Sequence, residues 1–291
     1  MSEPRPTVSI GLPVYNGEHF LRGALDSLLA QRFADFELII SDNASTDTTG
    51  AICAEYASRD PRVRYTRLPQ NIGGVANHNH VRELARGEFF MWASNDDLWH
   101  PDYVQACVEV LRKDPQVVVA YTRNSIIDAD GRHVRDVTPG PPLDADDVVE
   151  RFRHLVDIYR AIEPFYGVIR LDVLRRTRLM CGHPGFDRIL FAELGLMGKL
   201  RQVPQNLYLR RQHENQSVGA YPSLRSRYRW VDPSKRRRLV MPHFEYLLWF
   251  ASAALKFAPG FTAKRRCLGF LAKWCYWHHD ELLGDLSLRP S

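Results

Sequence analysis

Three short polar clusters hold most of the chemistry this chain can offer. Pro13-Val14-Tyr15-Asn16 follows one apolar run, Ser41-Asp42-Asn43-Ala44-Ser45 a second, and Ser94-Asn95-Asp96-Asp97 a third. Adjacent carboxylates such as Asp96 and Asp97 are oxygen ligands that suit Mg2+ or Mn2+, with diphosphate oxygens completing the shell. Asn, Asp and Ser also favour turns for backbone reasons, so any one cluster is explained as well by loop chemistry. Three of them, each placed just after an apolar run, are harder to explain that way. The two familiar phosphate cradles are absent: there is no GxGxxG after the first run, and no GxxxxGK followed by Ser or Thr. A dehydrogenase or P-loop enzyme is therefore disfavoured, and a bound diphosphate would take its counter-charge from a cation.

The elements that must position these clusters follow from the alternation of apolar runs with helix-patterned segments, which predicts a mostly parallel sheet with crossover helices. Strands are expected at residues 7–12, 36–40, 63–67, 89–93 and 117–122. Helices are expected through Leu21, Leu25 and Leu28, from about Asp47 with Ser45 or Thr46 as N-cap, and over 74–84 and 102–111. Residues 128–131, Asp-Ala-Asp-Gly, read as the turn of a hairpin. In open parallel sheets ligands bind outside the carboxyl ends of the strands, which is where all three clusters fall. A Pro, Gly and Asp-rich stretch over 138–147 divides this nucleotide-type half (about 1–125) from a second half (about 148–217), with helices expected over 148–159 and 185–198. From 218 to 291 the sequence turns basic and aromatic, in amphipathic helical patterns.

In order and spacing, Val8-Ser9-Ile10-Gly11-Leu12-Pro13-Val14-Tyr15-Asn16-Gly17, Asp42-Asn43-Ala44-Ser45-Thr46-Asp47, Asn71-Ile72-Gly73-Gly74 and Asn95-Asp96-Asp97 resemble the family 2 glycosyltransferases. The resemblance implies the GT-A fold and an inverting transfer of a sugar from a nucleoside diphosphate to an acceptor hydroxyl. By the same resemblance Pro13 and Tyr15 flank the nucleobase, Asn16 lies in the same donor loop, and Asp42 accepts a hydrogen bond from the base, with uridine or thymidine favoured. Asp96 contacts the ribose and Asp97 ligands Mn2+ or Mg2+; Asn95 stands where the family carries the first carboxylate. Arg67, Asn71 and Gly74 fall where the third strand approaches the nucleotide. Asp187, in Gly185-Phe186-Asp187-Arg188, takes the place of the family's general base, with Phe186 replacing a preceding carboxylate. In Tyr208-Leu209-Arg210-Arg211-Gln212-His213, Arg211 or Arg210 would pair with phosphate and His213 would complete the metal shell.

A net charge of +5 and a pI near 9.0 suit anionic partners such as a nucleotide, a lipid phosphate or a membrane face. Residues 1–6 lack a basic start and an apolar core, which leads to the expectation of a cytoplasmic protein, peripheral to the inner membrane face if the C-terminal segment touches lipid. The five scattered cysteines suggest neither a disulfide framework nor a zinc site. Arg236, Arg237, Arg238, Lys264, Arg265 and Arg266 bracket an apolar stretch too short to span a bilayer. That segment reads as a surface for anionic membrane, or as helices that cover the acceptor side or form a homodimer contact. Its tryptophans do not form a nucleic-acid-reading motif. Acceptors compatible with the architecture are glycans, glycolipids and small molecules. Two rival accounts are a nucleotidyltransferase that makes nucleotide sugars, and a sugar-nucleotide-binding scaffold without chemistry, for which Asn95 and Phe186 would speak.

Overall fold

The structure, a computed structural model, describes residues 5–158, 163–214, 223–231 and 241–286. Its first half is the expected alternation: β1 (Val8–Val14), α1 (Glu18–Leu29), β2 (Phe36–Asp42), α2 (Thr49–Arg59), β3 (Val63–Arg67), α3 (Gly74–Glu83) and β4 (Phe89–Trp92). β1 pairs in parallel with β2 and β4, and β2 with β3. Every residue of β1, β2 and β4 is buried, as parallel strands require when helices cover both faces. α1 turns Leu21, Ala24, Leu25 and Leu28 onto that sheet at helical spacing.

Beyond β4 the sheet becomes mixed. After β5 (Leu98–Trp99) and α4 (Tyr103–Lys113) comes β6 (Val117–Ile127), which runs five residues past its expected end because Asp128 to Gly131 closes a hairpin with β7 (His133–Asp136). Gly131, at φ 84°, supplies the left-handed residue of that turn. α5 (Val148–Arg153) continues as a wider turn, His154–Ile158, short of the expected helix end at 159, which lies outside the described residues. β8 (Val168–Arg170), α6 (Leu171–Arg176), α7 (Phe186–Met197) and β9 (Lys199–Arg211) complete the order β3-β2-β1-β4-β8-β6-β9-β5. β8 enters antiparallel between β4 and β6, whereas β6 and β9 run parallel along their length.

The C-terminal helices are α8 (Leu224–Val231), α9 (Pro242–Phe257), α10 (Gly260–Trp277) and α11 (His279–Leu286). The first three share a core with the second half: Val231, Phe250, Ala253, Phe270 and Trp274 lie in one apolar cluster with Phe152, Leu155 and Phe191. Each aromatic so buried contributes roughly 1.5–3 kcal/mol. Residue 217, where the sequence pattern changes, and Arg236 to Arg238 lie outside the described residues. All five cysteines are free thiols, four of them buried.

Candidate active site

The loops after β1 and β2 are fastened to each other. Val14 and Asp42 are register partners at the strand ends. Asn16, at φ 49°, takes the left-handed conformation that Asn tolerates. Its N–H donates to Ser45 Oγ (3.0 Å), and its Oδ1 accepts from Thr46 N (2.8 Å). Ser45 is thus a strut between loops, and neither it nor Thr46 caps α2; at that helix start Asp47 Oδ1 accepts from Thr49 N (3.0 Å). Asp42 is fully buried, with Oδ1 accepting from Ser45 N (2.8 Å) and Oδ2 from the Tyr65 hydroxyl (3.2 Å). The half-exposed Arg67 guanidinium stands 3.9 Å from Asp42 Oδ2, while Pro13 is buried at the end of β1 and the Tyr15 ring, 46% exposed, is open to solvent.

Asn71 holds the third loop in place. Its Oδ1 accepts from Asn43 Nδ2 (3.0 Å) and Gly73 N (2.8 Å), and Asn43 Oδ1 in turn accepts from Ile72 N (2.8 Å). Gly73 is the residue with positive φ, at 92°. Gly74 is needed for a different reason: a Cβ there would lie 2.6 Å from the Trp230 ring of α8. Asn95 is a spacer between loops, since a Cβ on Gly17 would meet its Nδ2 at 2.4 Å.

The two carboxylates differ sharply in surroundings. Asp97 is only 4% exposed, and both of its oxygens are occupied: Oδ1 accepts from Arg211 N (2.8 Å), and Oδ2 from Ser94 Oγ (2.5 Å) and the Tyr208 hydroxyl. Burial, reinforced by the neighbouring Asp96 charge, pushes the Asp97 carboxyl up to about 6. Asp96 keeps an open side, and its Oδ2 lies 3.0 Å from His213 Nε2. The His213 ring rests against Phe20 (centroids 4.6 Å apart), and its Nδ1 has no partner among the described residues. Arg211 is spent on the fold: Nε donates to Asp96 O (2.8 Å), Nη1 to Asp128 O (3.0 Å) and Ala129 O (2.7 Å), and the guanidinium lies 4.8 Å from the Phe20 ring centre. Of the two arginines expected to pair with phosphate, Arg211 is placed on these backbone carbonyls.

Among the described residues no group of three or more His, Cys, Asp or Glu could hold a metal ion by itself. One carboxylate and one imidazole at hydrogen-bond distance nevertheless fit a cation whose remaining ligands come from a diphosphate. Without a cation Nε2–H would donate to Asp96 Oδ2; a cation between them would take the Nε2 lone pair and leave the ring proton on Nδ1.

An aromatic series connects this side to Asp187. Tyr208 meets Tyr166 (5.3 Å), Tyr166 meets Phe165 (5.1 Å), and Phe165 stacks on Trp92 (5.4 Å) and meets Phe186 (6.1 Å). Phe186 thus belongs to the core, and Asp187 follows it in the first turn of α7, where the helix macrodipole favours an anion. Burial raises the Asp187 carboxyl above its ordinary value, and the backbone N–H and charge of Arg188 oppose the rise. Two neighbours went unread in the sequence. Tyr246 of α9 lies edge-on to His183 (4.2 Å), and its hydroxyl sits where a Cβ on Gly185 would be, 1.5 Å away. Trp230 lies 6.0 Å from Phe186. Both sit in segments patterned only as amphipathic helix, where no local motif marks a site.

The sequence model of glycosyl transferase family 2 matches residues 9–162, more than half of the chain. The chain belongs to glycosyltransferase family 2. It is 36% identical over 126 residues to a chondroitin synthase of Escherichia coli, covering 43% of this chain and 18% of that protein. An uncharacterised protein of Mycobacterium tuberculosis, Rv1520, is 31% identical over 207 residues, covering 68% of this chain and 57% of its own length. The chain thus spans only part of these relatives. Among solved structures, S. aureus TarS 1–349 in complex with UDP-GlcNAc superposes with TM-score 0.70 at 16% identity, covering 96% of this chain and 79% of that one. The mannosyltransferase PcManGT from Pyrobaculum calidifontis, in complex with GDP-Man and Mn2+, gives TM-score 0.57 at 16% identity, covering 98% and 75%. The fold is GT-A.

Proposed function

We propose that this family 2 enzyme transfers a sugar, with inversion, from a nucleoside-diphosphate sugar to a hydroxyl of a glycan, glycolipid or small-molecule acceptor, UDP or dTDP being the favoured donor nucleotide. The observation that carries the reading is the Asp96–His213 pair beside the loop that buries Asp42. A uracil or thymine ring N–H would reach Asp42 Oδ2 by displacing the long 3.2 Å hydrogen bond from the Tyr65 hydroxyl, and Arg67 Nη1, 3.9 Å from that oxygen, would donate to the adjacent carbonyl. Tyr15 is free to lie over the base, and the two relatives bound to nucleotide sugars support the donor class. Asp96 and His213 would hold Mn2+ or Mg2+, which neutralises charge on the departing diphosphate. The sequence resemblance put that ligand role on Asp97; we move it to Asp96 because both Asp97 oxygens are already bonded within the fold.

On the acceptor side, Asp187 accepts the hydroxyl proton as the new bond forms. Its raised affinity for protons makes it a stronger base than an exposed carboxylate, and only the deprotonated form is competent. Activity therefore falls with decreasing pH through a value above 3.8, the ordinary aspartate value. Asp187→Asn removes that acid limb and lowers turnover by roughly 10²- to 10⁴-fold while sparing nucleotide binding. The test is a pH–rate profile of both proteins together with UDP titration; an unchanged rate or an unchanged acid limb in the variant would remove Asp187 from the role.

A further inference from the structure

Helix α10 is apolar on two sides, and the core explains only one of them. Cys267, Phe270, Leu271 and Trp274 are buried against the body of the protein. On the opposite side Phe261, Arg265, Ala272 and Tyr276 are exposed in one outward stripe about 22 Å long at 1.5 Å per residue, with Leu268 between them partly buried against the core. Phe261 is 81% exposed and Tyr276 78%, and Trp277, 50% exposed, lies at the end of the same helix. The helix carries Lys264, Arg265, Arg266 and Lys273 and no carboxylate. Arg266 pairs with Asp147 (2.5 Å), whereas Lys264, Arg265 and Lys273 form no ion pair among the described residues. Asp280 and Glu281 open the next helix, within reach of His279 and His278.

We propose that α10 lies flat on an anionic lipid surface, Phe261 and Tyr276 entering the interface and Arg265 and Lys273 meeting the headgroups. The length and four cations of the helix suit lying in the interface plane, and no helix among the described residues is long and apolar enough to cross a membrane. A second copy is a poorer occupant. A two-fold contact through this stripe would bring the unpaired cations of both copies together with no carboxylate on either helix to answer them. This proposal stands independently of the donor assignment, and it would put the enzyme beside acceptors that carry a lipid anchor.

The test is co-sedimentation of the intact protein with vesicles of phosphatidylcholine alone and of phosphatidylcholine with phosphatidylglycerol. Binding to the mixed vesicles only is expected. Replacing Arg265→Gln and Lys273→Gln should weaken partitioning about thirtyfold, at ~1 kcal/mol of surface attraction per cation. Phe261→Ser should weaken it further. All three positions are exposed, and the same thermal unfolding midpoint as the parent checks that the variants are folded. Failure to bind mixed vesicles, equal binding by parent and variants, or a dimer in sedimentation velocity that Phe261→Ser dissociates would each overturn the proposal.

Discussion

Asp96 and Asp97 are neighbours in sequence and opposites in chemistry. Asp97 is a buried post that receives the Tyr208 hydroxyl, Ser94 Oγ and the Arg211 N–H, whereas Asp96 faces His213 from a part-exposed position. Removing a buried acceptor strands its donors at about 1–3 kcal/mol each. Asp97→Ala should therefore lower unfolding free energy by about 3 kcal/mol in urea titration, as Tyr208 and Arg211 lose their partner. A variant of unchanged stability that has lost only cation affinity would return the ligand role to Asp97. The difference between the two residues was not legible in the motif, because it depends on Tyr208 and Arg211 of β9 arriving more than a hundred residues later. What was legible was the cluster itself: strand-end Asn, Asp and Ser after β1, β2 and β4 all lie at one sheet edge, as strand periodicity implied. The bonds of Arg211 within the fold were not legible for a related reason. Alternation along β9 places residue types, but only the hairpin after β6 shows that carbonyls 128 and 129 await that guanidinium.

At the scale of elements, the parallel run β3-β2-β1-β4 follows from continuous apolar strands separated by amphipathic helices, and its edges were read to within a few residues. The mixed half was harder to read. β8 is three residues long and its antiparallel partners are remote, so short-range pattern carries little information about its pairing. The meeting of α7 and α9 is likewise invisible locally, although Gly185 marks it in retrospect: the glycine leaves room for the Tyr246 hydroxyl at the start of the helix that bears Asp187. Gly185→Ala forces α9 or the α7 start to move, and overpacking of this kind costs typically 1–3 kcal/mol. The expected result is a lowered thermal midpoint and a lower transfer rate with nucleotide affinity retained. A variant with both midpoint and rate intact would show that this contact does not support the base.

Across the whole molecule, α8, α9 and α10 share one apolar core with the second half. Phe250, Ala253, Phe270 and Trp274 fill the same core as Phe152 and Phe191, and Trp230 reaches back to Gly74 at the start of α3. A chain ending at residue 217 should consequently lose cooperative thermal unfolding, exposing apolar surface that the second half buries in the intact protein. A truncated protein that melts as sharply as the parent would make the C-terminal segment a separable unit. The central claim is that a nucleotide binds across the β1, β2 and β4 strand ends and shares a cation with Asp96 and His213. Calorimetric titration of UDP into the intact protein, with and without Mn2+, and into Asp96→Ala tests it most directly. The account predicts saturable binding that Mn2+ strengthens in the parent and does not strengthen in the variant. No binding of UDP under either condition, or Mn2+ enhancement that survives the loss of Asp96, would contradict it.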